Sequence, residues 1–210
     1  MEVYRRILEK NKEWAANQLR EDPEYFSRLI ELQSPEILWI GCSDSRVPAD
    51  RITGTQPGEI FVHRNISNLV ILTDLNMLSV LQFAVEILKI KHIIVCGHHN
   101  CGGIAAALSN NSYGLMDQWI WNIKNVYSQH RAEIDKLPTF GEKHNLLTRL
   151  NVIEQVKNLA KTSIIQNAWK DGAKPYLHGW VYDLRDGIVN PVFEMNSDTP
   201  SDPIFEFTNI

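Results

Sequence analysis

Three short runs along the chain are almost continuously apolar: Glu36–Cys42 (EILWIGC), Glu59–Arg64 (EIFVHR) and His92–His98 (HIIVCGH). Runs of this length without polar alternation fit strands covered on both faces, which is the pattern of a parallel sheet. Between the last two, TDLNMLSVLQFAVEILKI spaces Leu75, Leu78, Gln82, Val85 and Leu88 or Lys89 at helical intervals, with Thr73 placed to cap the start. Strand, helix, strand makes a βαβ unit, right-handed by the usual packing rule.

The flanking segments complete the picture. The first thirty residues read as helix, with Asp22-Pro23 as a cap and first-turn proline and Phe26, Leu29 and Ile30 as an apolar stripe ending before Ser34-Pro35. After Cys101, GGIAAAL starts a helix, and DQWIWNIKNVYSQH and NLLTRLNVIEQVKNLAKTSIIQNAW carry two further helical patterns. PYLHGWVYDL and GIVNPVFEM return to strand character around Arg185-Asp186-Gly187, whose Asp-Gly step favours a hairpin. The expected fold class is α/β: a mainly parallel sheet flanked by helices, with an N-terminal helical arm at residues 1–34 and an α/β core at 35–210, together one domain.

Composition narrows the partners. The 210 residues carry 21 Lys+Arg against 25 Asp+Glu, a formal charge of -4 without long blocks of either sign. No nucleic-acid footprint is present in such a balance. No apolar run approaches the roughly 20 residues that cross a bilayer, and the start has no basic, apolar leader, so the expectation is a chain that uses no membrane. Three cysteines, Cys42, Cys96 and Cys101, are too few and odd in number for a disulfide framework. A reducing, cytoplasmic compartment is the expectation.

Two stretches carry candidate chemistry. IGCSDSRV places a thiol, a carboxylate and a guanidinium within five residues as Cys42, Asp44 and Arg46, and CGHHNCGG places His98, His99 and Cys101 where a buried strand gives way to a helix. In an open α/β sheet that side is where ligands bind. If the two strands are neighbours, two thiolates and an imidazole converge on one point, a donor set for a borderline-soft ion with zinc first. Cys96, inside its apolar run, reads as core. On spacing alone His99 competes with His98.

CSDSR followed downstream by His-x-x-Cys-Gly-Gly resembles the paired signature of the β-class carbonic anhydrases. The resemblance runs through PGEIFVHRNISNLV and NVIEQVKNL to HGWVYD and so covers nearly the whole chain. It implies one zinc per chain on Cys42, His98 and Cys101, and not on His99. It implies reversible hydration of carbon dioxide to bicarbonate and a proton, with Asp44 orienting the activated water and Arg46 clamping Asp44. It also implies a homodimer built through the N-terminal arm, assembled as a dimer of dimers. The substrate pocket falls on Gln33, supplied across the dimer interface, with Phe61, Phe83 and the Gly102 amide; many relatives carry Tyr where this chain has Phe83. Some members switch off when the aspartate leaves its arginine and becomes the fourth zinc ligand, under control of a bicarbonate pocket built from Trp, Arg and Tyr. Trp39, Arg64 and Tyr182 match that pocket, with Asp44 as the closed-state ligand. Rival readings keep the zinc and change the substrate to an analogue such as carbon disulfide, or make the chain a bicarbonate-sensing zinc protein without turnover.

Overall fold

The computed structural model describes residues 2–172 and 174–209. The chain divides after Ser34 into two compact units. In the first, α1 (Glu2–Glu21) has no buried residue, and Val3, Tyr4, Ile7 and Leu8 leave an apolar stripe exposed on it. The second helical stretch expected from Asp22-Pro23 is instead a reversal of the chain followed by one 3-10 turn, Ser27–Leu29. Tyr25 and Phe26 pack edge-on against Trp14, with ring centroids 6.2 and 5.7 Å away, so aromatic packing folds the segment back on α1. Asp22 accepts from the Glu24 amide and pairs with Arg28, which fixes the turn.

The second unit is built on a five-stranded sheet in the order β2-β1-β3-β4-β5. Its strands are β1 (Ile37–Cys42), β2 (Ile60–Asn65), β3 (His92–His98), β4 (Tyr176–Asp183) and β5 (Ile188–Met195). The first four run parallel, and β5 returns antiparallel through the expected turn, where Gly187 takes a positive φ of 75°. β1 and β3 are neighbours, as a shared site requires.

The helices follow as α2 (Ala49–Thr53), α3 (Leu75–Gln82), α4 (Gly102–Ala107), α5 (Met116–Gln129), α6 (Arg131–Ile134), α7 (Phe140–Ala160) and α8 (Ser163–Asp171). Asp74 rather than Thr73 caps α3, its carboxylate accepting from the Asn76 amide, and the helix runs on through a π turn at Phe83–Ile87. The last helical pattern divides into α7 and α8 because Thr162 accepts from the Ile165 amide and so starts a new helix. A reciprocal pair of Thr139 and Glu142 caps α7.

One face of the sheet presents Leu38, Ile40, Ile93, Val95, Leu177 and Val181 to Leu81 of α3 and to Val152, Val156 and Leu159 of α7, all buried. Each such side chain contributes about 1.5–3 kcal/mol when fully buried. Glycines set how closely α7 lies: a Cβ on Gly97 or Gly179 would stand 2.7 or 2.9 Å from Val152 methyls. Trp39, Ile94 and Cys96 form a smaller cluster on the other face with Ala49 of α2.

Candidate metal centre

β1 and β3 end side by side, and the site is built at and just beyond their carboxyl ends. Cys42 is the last residue of β1, His98 the last of β3, and Cys101 sits immediately before α4. Their candidate ligand atoms lie within 4.8 Å of one another, and all three residues are buried. The two sulfurs are 3.9 Å apart. Two Zn–S bonds of about 2.3 Å meeting at a tetrahedral angle span about 3.8 Å, so the thiols already stand at chelating distance.

The imidazole is aimed in the same way. His98 donates through Nδ1 to the carbonyl of His99 at 2.9 Å, which leaves a lone pair on Nε2. That Nε2 is buried and has no hydrogen-bond partner among the described residues. A buried acceptor without a partner is costly in a folded protein, and a metal ion is the natural occupant beside two thiols. The donor set therefore fits zinc. His99 leaves its own Nδ1 buried and lies outside the ligand cluster.

The thiols are electrostatically coupled. The hydrogen bond from Cys42, and then His98, bring Cys101 below the ordinary thiol range against the effect of burial, whereas the same bond and burial push Cys42 up. Two sulfurs sharing a buried site favour one thiolate beside one thiol, and binding a cation would favour loss of the second proton.

Asp44 lies at the rim. Its Oδ1 accepts from the Arg46 amide at 3.0 Å and from Nε at 2.9 Å, while Oδ2 accepts from Nη2 at 2.7 Å. Arg46 is pinned in turn by donating to the Asn100 carbonyl at 3.2 Å. The two-pronged guanidinium pair holds the Asp44 carboxyl well below the usual carboxylate range, although burial opposes it. Oδ2 is also 3.7 Å from His98 Nε2, so the carboxylate touches the edge of the ligand cluster.

The other sequence candidates divide. Arg64 is tied to the same loop, donating from Nε to the Cys42 carbonyl at 2.8 Å and from Nη2 to the Asp44 carbonyl at 2.5 Å. Gly41, opposite Arg64 in the sheet, makes room for the Trp39 indole: a Cβ there would stand 2.4 Å from Nε1. Trp39 is itself core, edge-on to Trp180, and Tyr182 packs against the same cluster. Gly102 opens α4 beside the ligands, with open space where a side chain would be. Phe61 and Phe83 pack on each other with centroids 5.8 Å apart. Phe61 lies four positions along β2 from Asn65, the residue level with Cys42, which is roughly 13 Å of strand. One chain thus does not bring the two phenylalanines to the cluster. Gln33 is exposed in the first unit.

Two residues that the sequence did not single out complete the centre. His144 of α7 is within 3.0 Å of the Cys101 carbonyl through Nε2. Ser67, in the turn Ile66–Asn68, donates its amide to Cys42 Sγ and sets its hydroxyl against Cys101 Sγ, both at 3.4 Å. Neither had a signal of its own in the sequence, since both contacts depend on tertiary packing.

Comparison with known proteins agrees with this geometry. The carbonic anhydrase family model matches residues 37–189. A carbonic anhydrase of Emericella nidulans is 46% identical over 199 residues, covering 95% of this chain and 86% of the relative. The β-carbonic anhydrase CafA of Aspergillus fumigatus superimposes with a TM-score of 0.86 at 40% identity, covering 94% of this chain and 93% of that one. A β-carbonic anhydrase of Sordaria macrospora, described as tetrameric, gives a TM-score of 0.88 at 38% identity over 93% of this chain and all of its own. With the cysteine–histidine–cysteine cluster at the sheet's carboxyl edge, these likenesses make the chain a member of the β-class carbonic anhydrases.

Proposed function

We propose that this chain hydrates carbon dioxide reversibly to bicarbonate and a proton, with one zinc held by Cys42, His98 and Cys101. The observation that carries the reading is a three-donor cluster, at zinc spacing, with the clamped Asp44 carboxylate at its open edge. A purely structural zinc site takes four protein donors, whereas a catalytic one keeps a position free. Zinc bound there supplies a Lewis acid that makes a water nucleophilic near neutral pH. Asp44 accepts a hydrogen bond from that water and orients it. Arg46 keeps the carboxylate ionised and correctly turned, and the space beside Gly102 admits a small uncharged substrate. Stopped-flow hydration of carbon dioxide together with metal analysis tests the reading, and a chain that binds zinc without turnover would overturn it.

The reading extends to assembly and control. The apolar stripe of α1, exposed on its own unit, supports a homodimer through the arm, and likeness to a tetrameric relative supports a dimer of dimers. Phe61 and Phe83, remote from their own cluster, then serve the pocket of a second copy, with Gln33 also supplied across the interface. For control, bicarbonate taken up beside Trp39 and Tyr182 competes for the guanidinium of Arg64, which otherwise holds the carbonyls of Cys42 and Asp44. Asp44 then releases Arg46 and turns into the fourth position, switching the chain off at acidic to neutral pH; alkaline pH restores it. Linkage requires that this closed arrangement bind bicarbonate more tightly.

A further inference from the structure

Ser67 occupies a conformation that its side chain disfavours. Its φ and ψ are 64° and 28°, in the left-handed region, and Asn68 follows with a φ of 51°. Glycine would sit there without strain. The surroundings nevertheless hold the backbone there: Ser67 is fully buried, Asn151 donates to its carbonyl at 3.2 Å, and its amide donates to Cys42 Sγ at 3.4 Å. Across the turn, a Cβ on Gly103 would stand 2.0 Å from the Ser67 hydroxyl, so the glycine after the Cys101-Gly102 step makes room for that hydroxyl beside Cys101.

We infer that Ser67 is a positioning residue for the metal centre, its amide and hydroxyl each donating to one of the two cysteine thiolates and withdrawing charge from the sulfurs. This rests on the zinc reading above. A metal-bound thiolate has no proton, so at 3.4 Å the only hydrogen bond between Ser67 Oγ and Cys101 Sγ runs from the hydroxyl to the sulfur. Two thiolates cancel the formal charge of a divalent ion and weaken it as a Lewis acid; donors on the sulfurs offset that weakening. The amide reaches Cys42 and the hydroxyl reaches Cys101, so one residue acts on both ligands and steadies their separation.

Cobalt substitution of the full-length protein tests this without relying on turnover. Cobalt(II) thiolate sites show sulfur-to-metal charge-transfer absorption, which falls in energy when a sulfur loses a hydrogen-bond donor. Ser67→Ala keeps the strained backbone and removes the hydroxyl; Ser67→Gly removes the hydroxyl and relieves the backbone. Both variants should bind one cobalt per chain and move the band to longer wavelength, and their zinc forms should move the alkaline midpoint of activity upward. A purely backbone role would leave the band unmoved in both, and that result overturns the assignment while leaving the carbonic anhydrase reading in place. If the band moves but the wild-type zinc protein hydrates no carbon dioxide, the role of Ser67 stands and the proposed activity is lost.

Discussion

Cys42 and Cys101 lie 59 positions apart in the chain and 3.9 Å apart at their sulfurs. Neither is reached by the third thiol, Cys96, which is buried among Trp39, Ile94 and Ala49. Cys42→Ser and Cys101→Ser should therefore each lose zinc and activity together, because a hydroxyl is a poor replacement for a thiolate on this ion. Cys96→Ser should keep one zinc per chain. Elemental analysis after dialysis reads all three, and full metal in either ligand variant would contradict the assignment.

Asp44 and Arg46 should separate turnover from metal binding. Asp44→Asn keeps the shape of the side chain but removes the charge that pairs with Arg46. The hydration rate should fall by roughly 10²–10⁴-fold, the range of a positioned proton-handling group, with zinc content unchanged. Near-normal rates at alkaline pH would take the carboxylate out of the mechanism.

Bicarbonate control should fail in Arg64→Ala. A coupling typical of allosteric pairs changes affinity about 5–150-fold, and the variant should lose most of it while still holding zinc. Some basal rate should go as well, since Arg64 also braces the Cys42 and Asp44 carbonyls. Rates measured against added bicarbonate between neutral and alkaline pH decide it, and pH-independent, uninhibited wild-type kinetics would end the switch reading alone.

His63 gives a stability signature apart from catalysis. Burial lowers its pKa below the ordinary value of 6.5, with Asp74 opposing, and Asn65 Nδ2 lies 3.3 Å from its Nε2. The unfolded chain therefore takes up a proton more readily than the native one. Its contribution is complete above pH 6.5 and is lost as pH falls toward the lower native value. In urea melts at successive pH values, His63→Gln should show a shallower loss than wild type below pH 6.5. Parallel curves would mean that His63 titrates alike in both states.

The sheet was legible in the sequence because its strands are uninterrupted apolar runs; His92–His98 matches β3 end to end. The elements that departed from expectation did so through local competition. Asp74 outcompeted Thr73 as the cap of α3, and Trp14 drew Tyr25 and Phe26 out of a second helix. In the site, the spacing of His98 and Cys101 pointed to a metal, but choosing His98 over His99 needed the family resemblance. The geometry makes the same distinction because a ring nitrogen of His98 lies within 4.8 Å of both sulfurs, whereas His99 is outside that cluster. Ser67 had no local signal at all, because its role exists only where Gly103 and Cys42 meet it.

The two glycines beneath α7 bear on how the centre exchanges its ion. Val152 closes on Gly97 and Gly179 together, and Gly97 immediately precedes His98; eight positions earlier on the same helix, His144 reaches the Cys101 carbonyl. One helix thus braces the segments that carry two of the three donors, through contacts that involve no ion. An ion bound to a centre braced in this way adds stability by mass action. Chelated protein should accordingly keep its secondary structure and reload without a refolding delay.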